Sequence, residues 1–249
     1  MQHFEIIFFF LIIAAIYASV GFGGGSSYLA VLALYALPFH EIRLNALICN
    51  IIVVTGGTII FIRNKQVNLK KILPLVLVSV PMAYIGARLR ISEHVFFVLL
   101  GCSLLSASVL LWIKTKSNYA EVEAGKVNYL KDGALGGAIG FLSGMVGIGG
   151  GIFLSPLLNL GKWDGAKKIA ATASVFILVN SIAGIAGQLH NLPRDINYNR
   201  IAILCVAVFA GGQIGSRLGA ARFQPLIIRR TTAILVFVAG VEVLIKHLH

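Results

Sequence analysis

The sequence predicts an all-α polytopic membrane protein made of two inverted repeats, each a glycine-broken helical hairpin followed by three further transmembrane helices. Three observations predict it. The 249 residues are 58% apolar and only 12% charged, with a mean hydropathy of +0.90, whereas a soluble domain carries about twice that charged fraction. Two short glycine-containing motifs recur in both halves in the same order. The lysines and arginines divide unevenly between the two faces that an inverted arrangement creates.

The elements follow in order. The first half carries apolar runs at Phe4–Val20, Ser26–Leu37, Asn45–Ile62, Ile72–Ala87 and Val95–Ile113. The second carries Gly133–Leu142, Ile152–Leu160, Ile169–Leu189, Ile201–Gly215 and Leu226–Ile245. Between them Lys114–Lys131, with Glu121, Glu123, Lys126 and Lys131, is the longest hydrophilic stretch. The expected organisation is a first membrane repeat over 1–113, a cytoplasmic linker over 114–132 and a second membrane repeat over 133–249. A helix needs about 20 residues to cross about 30 Å of hydrocarbon, and several of these runs are shorter. The short ones flank glycine clusters, the pattern of broken or re-entrant helices. No basic stretch or small-residue cleavage site marks the N-terminus, and Glu5 stands where a signal peptide favours Lys or Arg. Phe4–Val20 therefore reads as a retained segment.

The halves align at two places, with four of five residues identical in each. Gly21-Phe22-Gly23-Gly24-Gly25 corresponds to Gly147-Ile148-Gly149-Gly150-Gly151 at an offset of 126. Ile85-Gly86-Ala87-Arg88-Leu89 corresponds to Ile214-Gly215-Ser216-Arg217-Leu218 at an offset of 129. Such duplication is common in secondary transporters. If each broken pair crossed as a single span, the cations would divide about evenly between the faces. If each pair enters and returns, three spans remain per half and the halves insert inverted. One face then holds Arg43, Arg88, Arg90, Arg194, Arg200 and Lys246, six cations, and the other holds fifteen. Positive charge favours the cytoplasm, so the hairpin reading is preferred. It puts the linker inside and both termini outside.

Glycine reaches backbone angles closed to other residues, so a helix can stop and restart at these clusters. The freed N–H groups cannot face lipid, where each unsatisfied group costs several kcal/mol. A helix restarting at Ser26 or at Ile152 presents unpaired N–H groups and the positive end of its dipole, which suits a small anion. The candidate binding residues are therefore Gly23, Gly24, Gly25, Ser26 and Ser27 in the first half and Gly149, Gly150 and Gly151 in the second. Close helix packing is the competing explanation, and it accounts for Gly136, Gly140 and Gly144 and for Gly211, Gly215 and Gly219 at four-residue spacing. The following segments add Asn45, Asn50, Thr172, Ser174 and Asn180, since polar residues in spans face the bundle interior; a bond to the preceding turn is the plainer role for Ser and Thr. Arg88 and Arg217 are repeat partners at span ends. They either snorkel to the interface or draw oxyanions into each vestibule.

The two clusters, with Ser26-Ser27 after the first and Gly144-Met145-Val146 before the second, followed by Ala171-Thr172-Ala173-Ser174, resemble the sulfite exporter TauE/SafE family. The resemblance covers nearly the whole chain. The first half departs from it slightly, with Asn45-Ala46 where the repeat partner has Ala171-Thr172. Membership implies an inner-membrane carrier of small sulfur-containing anions such as sulfite or organosulfonates, with the particular anion left open, and no cofactor.

Other functions fit less well. The net charge of +12 invites nucleic acid, but the cations are expected in short loops between spans and no nucleic-acid motif is present. Ser143, in Phe141-Leu142-Ser143-Gly144, lacks the first glycine of a serine-protease motif, so an intramembrane enzyme is disfavoured; a passive anion channel is the other alternative. Cys49, Cys102 and Cys205 lie in apolar runs as packing residues, and the scattered histidines suggest no metal. Glu5, Glu41, Glu93, Asp132, Asp164, Asp195 and Glu242 all fall in loops or near segment ends, so no carboxylate relay is expected deep in a span.

Overall fold

The computed structural model describes residues 4–18, 23–35, 37–113, 128–189, 196–219 and 225–247. Among them are ten α-helices and no strand: α1 (Phe4–Ala18), α2 (Gly25–Leu34), α3 (Phe39–Arg63), α4 (Leu69–Arg88), α5 (Glu93–Trp112), α6 (Tyr129–Val146), α7 (Gly151–Leu160), α8 (Ala166–Gln188), α9 (Tyr198–Gly219) and α10 (Pro225–His247). Helices α3, α4, α5 and α8 and the Tyr198–Gly215 part of α9 are long and apolar enough to cross a membrane. By contrast α2 and α7 have ten residues each, about 15 Å at 1.5 Å per residue, or half of a hydrocarbon core. Gly21, Phe22, most of the linker and the side chain of Arg217 lie outside the described residues.

The caps explain the helix starts. Asn68, Ser92 and Asn128 accept hydrogen bonds from the Lys71, Val95 and Lys131 N–H groups at 3.4, 3.3 and 3.1 Å, satisfying one free donor each in α4, α5 and α6. The starts of α2 and α7 are buried and have no side-chain cap; Gly24 (φ 84°) and Gly150 (φ 82°) stand there in the left-handed region. The expected restarts at Ser26 and Ile152 are one residue late, because the residue after each left-handed cap is already helical. The expected run Gly133–Leu142 is also too short, since α6 extends over Tyr129–Val146. Its glycines lie within the helix: Gly136, Gly140 and Gly144 bring α6 onto the Leu75, Ser79 and Ala83 carbonyls of α4. Gly211 and Gly215 likewise bring α9 onto Leu11 and Ala15 of α1.

Polar contacts show where each short helix goes. The Tyr35 hydroxyl, just past α2, donates to Glu5 Oε2 at the start of α1 at 2.7 Å. Trp163 Nε1, just past α7, donates to Asp132 Oδ1 at the start of α6 at 3.3 Å. Each broken pair therefore returns to the face it started from. We call the face where α1 begins the terminal face, because Lys246 near the end of α10 reaches Leu34 O there at 3.5 Å. The other is the linker face, where α5 ends and α6 begins.

Exchanging the halves preserves the packing. Helix α1 lies on α9 as α6 lies on α4, and α3 on α9 as α8 on α4; the pairs α2–α10 and α2–α3 correspond to α7–α5 and α7–α8. The register agrees with the sequence offsets: Gly86 meets Phe141 O, and its repeat mate Gly215 meets Ala15 O, where Ala15 and Phe141 are themselves 126 apart. Repeat mates run antiparallel where they touch. Leu47 lies by Gly184 and Ser174 by Gly57 in the α3–α8 pair, and Leu244 lies by Gly101 and Leu104 by Gly240 in the α5–α10 pair.

Ion pairs tie the halves together at both faces. On the linker face Lys71 Nζ meets Asp164 Oδ2 at 2.9 Å, with both side chains buried. On the terminal face Arg200 Nη1 meets Glu41 Oε2 at 2.7 Å, with more exposure. Lys71 and Arg200 are repeat mates at the offset of 129. Two expectations change here. Lys71 and Arg43 are buried helical residues, not loop cations, because α3 and α4 begin before the apolar runs do. Asp132 and Asp164 do sit at helix borders, but they are buried there, since Trp163, Lys71 and Lys168 close over them.

Candidate functional site

Where α1 gives way to α2 and α6 to α7, the two breaks meet. A Cβ placed on Gly25 would stand 2.6 Å from Ile148 O, and one on Gly149 would stand 2.6 Å from Asn50 Nδ2. The first residue of one half-helix thus lies directly against the break before the other. Four glycines of the second break region, Gly147 and Gly149–Gly151, and Gly23–Gly25 of the first are buried. Positive φ at Gly147, Gly149 and Gly150 lets α6 end, turn back and restart within four residues.

Asn50 joins the two breaks. Its Nδ2 donates to Ile148 O at 3.0 Å, and its amide also packs against Gly23, Gly25 and Gly149. Asn50 Oδ1 is buried and has no partner among the described residues, as are Ser181 Oγ and the Tyr28 hydroxyl. Ser181 lies 3.0 Å and Tyr28 3.1 Å from where Cβ atoms on Gly149 and Gly24 would be. Unused buried polar atoms are costly and few in folded proteins. Here they gather around two helix starts whose own first N–H groups also lack bonds.

Those starts can be counted donor by donor. The Ser27 and Tyr28 N–H groups close onto Gly24 O at 3.0 Å each, and those of Phe153 and Leu154 onto Gly150 O at 3.2 and 3.1 Å. Ser27, a candidate anion-binding residue, and its counterpart Phe153 have therefore spent their N–H groups in the first helical turn. Gly25, Ser26, Gly151 and Ile152 keep theirs, with no partner among the described residues. The Ser27 hydroxyl is also occupied, 2.6 Å from the Tyr17 hydroxyl.

The remaining candidates separate by geometry. Asn45 Nδ2 donates to Glu41 O and Thr172 Oγ1 to Lys168 O, at 2.8 and 2.9 Å, so both serve the preceding turn of their own helices. Asn180 Nδ2 bonds Phe176 O at 2.8 Å and Ser79 Oγ at 3.1 Å, tying α8 to α4. Ser174 is fully buried, facing Gly57 of α3. Arg88 ends α4 with an exposed side chain. Sequence reasoning missed Tyr28, Phe176 and Ile177, which pack on Gly24, Gly150 and Gly151; nothing in their type or spacing sets them apart from core residues.

The chain is similar to known membrane transporter proteins. The chain matches the family described as Sulfite exporter TauE/SafE over residues 6–243. A probable membrane transporter protein of Sinorhizobium fredii is 31% identical over 237 residues, covering 94% of this chain and 95% of that protein. A probable membrane transporter protein of Bacillus subtilis is 26% identical over 191 residues, covering 69% of this chain and 68% of the relative. One from Methanocaldococcus jannaschii is 27% identical over 139 residues, covering 54% and 51%. No solved structure matches.

Proposed function

The chain belongs to the sulfite exporter TauE/SafE family of multi-pass membrane proteins, and on that premise we propose that it exports small sulfur-containing anions, sulfite or organosulfonates, across the inner membrane. The observation that carries the reading is the meeting of two uncapped half-helix starts at Asn50. Converging helix N-termini hold an anion through N–H groups and dipoles. The antiparallel contacts between repeat mates support an inverted duplication, and with it alternating access by rocking of one half against the other around the breaks.

Reconstitution tests this. Purified protein in liposomes should show saturable sulfite flux that is accelerated by sulfite on the opposite side. Current that rises linearly with voltage and never saturates would instead indicate a channel, and absence of any anion flux would sink the reading.

Orientation is a separate prediction. With Arg43 and Lys71 both withdrawn into the bundle, each face loses one cation, so the charge contrast remains. The linker should be cytoplasmic and both termini periplasmic. A cysteine introduced at Ala124 should resist membrane-impermeant maleimide in intact cells and react in inverted vesicles. Labelling from outside would reverse the assigned orientation.

A further inference from the structure

Arg43 is a buried cation without a carboxylate. It lies in the second turn of α3 at 4% exposure, and among the described residues it forms no ion pair. The other buried cation among the described residues, Lys71, has Asp164. The nearest acid on its own helix, Glu41, is taken by Arg200. Among the described residues only one nitrogen of the guanidinium is used: Nη2 donates to Gly144 O at 3.0 Å and Ala87 O at 3.3 Å. These carbonyls belong to the last turns of α6 and α4, which hold the group in place. Nε is buried without a partner, and no bond of Nη1 is present among the described residues. A guanidinium has five N–H donors, so three stay unused, and burying a charge without its partner is costly.

Its position explains what the missing partner is. Arg43 and Asn50 are seven residues apart and therefore share one face of α3. Arg43 packs on Gly147, where a Cβ would stand 3.2 Å from its own Cβ, while Asn50 packs on Ile148 and Gly149. The two side chains thus line consecutive residues of the second break, with Arg43 nearer the terminal face. Resting on the transporter reading above, we propose that Arg43 is the charge-selecting group of the anion path. Its free donors take an oxygen of a small oxyanion as it passes between the paired breaks and the terminal face. Guanidinium bonds to oxyanions are charge-assisted and stronger than those of neutral donors, so the backbone N–H groups need not select charge alone.

The test uses full-length protein in liposomes and in detergent, with Arg43→Gln and Arg43→Lys variants. Sulfite flux gives KM and Vmax, and thermal unfolding with and without sulfite gives ligand-induced stabilisation. Arg43→Lys should raise KM about tenfold with Vmax close to wild type. Arg43→Gln should lose sulfite-induced stabilisation and most flux. If Arg43→Gln does not fold, the KM of Arg43→Lys decides. A wild-type KM and a wild-type sulfite-induced shift in either variant, even with a lower baseline Tm, would make Arg43 a structural clamp on two helix ends and overturn the proposal. Wild-type protein that neither moves nor is stabilised by any oxyanion would overturn the transporter reading itself, a result distinguishable from failure at Arg43 alone.

Discussion

Gly25→Leu is expected to abolish sulfite flux, and Gly25→Ala to reduce it severely. Gly25 has no left-handed backbone angle, so the effect comes from space alone. Its Cβ would collide with the Asn50 amide and with Ile148 O, and the second of these is backbone of the other half. A side chain there must wedge the two breaks apart or expel Asn50 from its bond to Ile148. Gly150→Ala differs, because its φ of 82° adds a left-handed penalty of about 1–2 kcal/mol to a Cβ that would sit 2.8 Å from the Phe176 ring. That variant should lose stability as well as flux. Gly56→Ala is the control: nothing lies within 4 Å of its Cβ position, and alanine suits a helix interior by up to about 1 kcal/mol. Counterflow in liposomes and thermal unfolding in detergent measure both effects. Wild-type flux in Gly25→Leu would mean that the breaks serve packing and that anions cross elsewhere.

Much of this arrangement was legible in the sequence because it rests on residue types with single uses. Left-handed caps at Gly24 and Gly150 demand glycine, and the packing of α6 on α4 demands small residues at four-residue spacing, so both leave marks. The offsets of 126 and 129 predict which residues meet across the halves, as Gly86 on Phe141 and Gly215 on Ala15 do. What was not legible depends on which side of a helix faces what. Asn45 and Asn50 lie in the same span and are about 140° apart around it; only tertiary packing turns Asn50 to the breaks and leaves Asn45 bonded to Glu41. Arg43 was hidden by a boundary. The polar stretch His40-Glu41 reads as loop, yet α3 starts at Phe39, which carries Arg43 into the bundle. Burial of Asp132 and Asp164 was hidden in the same way, since it depends on Trp163 and Lys71 arriving from other elements.

The ion pairs at the two faces allow a graded prediction from one register. Lys71 and Arg200 are repeat mates, but their pairs are buried to different degrees. In the Lys71–Asp164 pair the side chains are 7% and 3% exposed, against 34% and 13% for Arg200–Glu41. Asp164→Asn should therefore cost about 3–5 kcal/mol, because it leaves the Lys71 ammonium buried beside Trp163 without its counter-charge. Glu41→Gln should cost less, on the order of 1 kcal/mol, because Arg200 is partly exposed and water can take up part of its charge. Combining Lys71→Met with Asp164→Asn should cost clearly less than the two single changes added together, since neither charge is then stranded. Acid should weaken the same contact. Burial alone would raise the Asp164 carboxyl, but the hydrogen bonds from Lys71 and the Gly165 N–H and the charges of Lys71 and Lys168 hold it below the ordinary carboxylate range. Its stabilising contribution is therefore complete above about pH 4, the unfolded value, and is lost as pH falls through the lower folded value. Thermal unfolding of wild type and Asp164→Asn at pH 7 and across pH 5 to 3 measures this. The stability difference between them should be largest at pH 7 and shrink toward pH 3; a difference that stays constant with pH, or additive single changes, would show that the Lys71–Asp164 pair does not hold the linker face together.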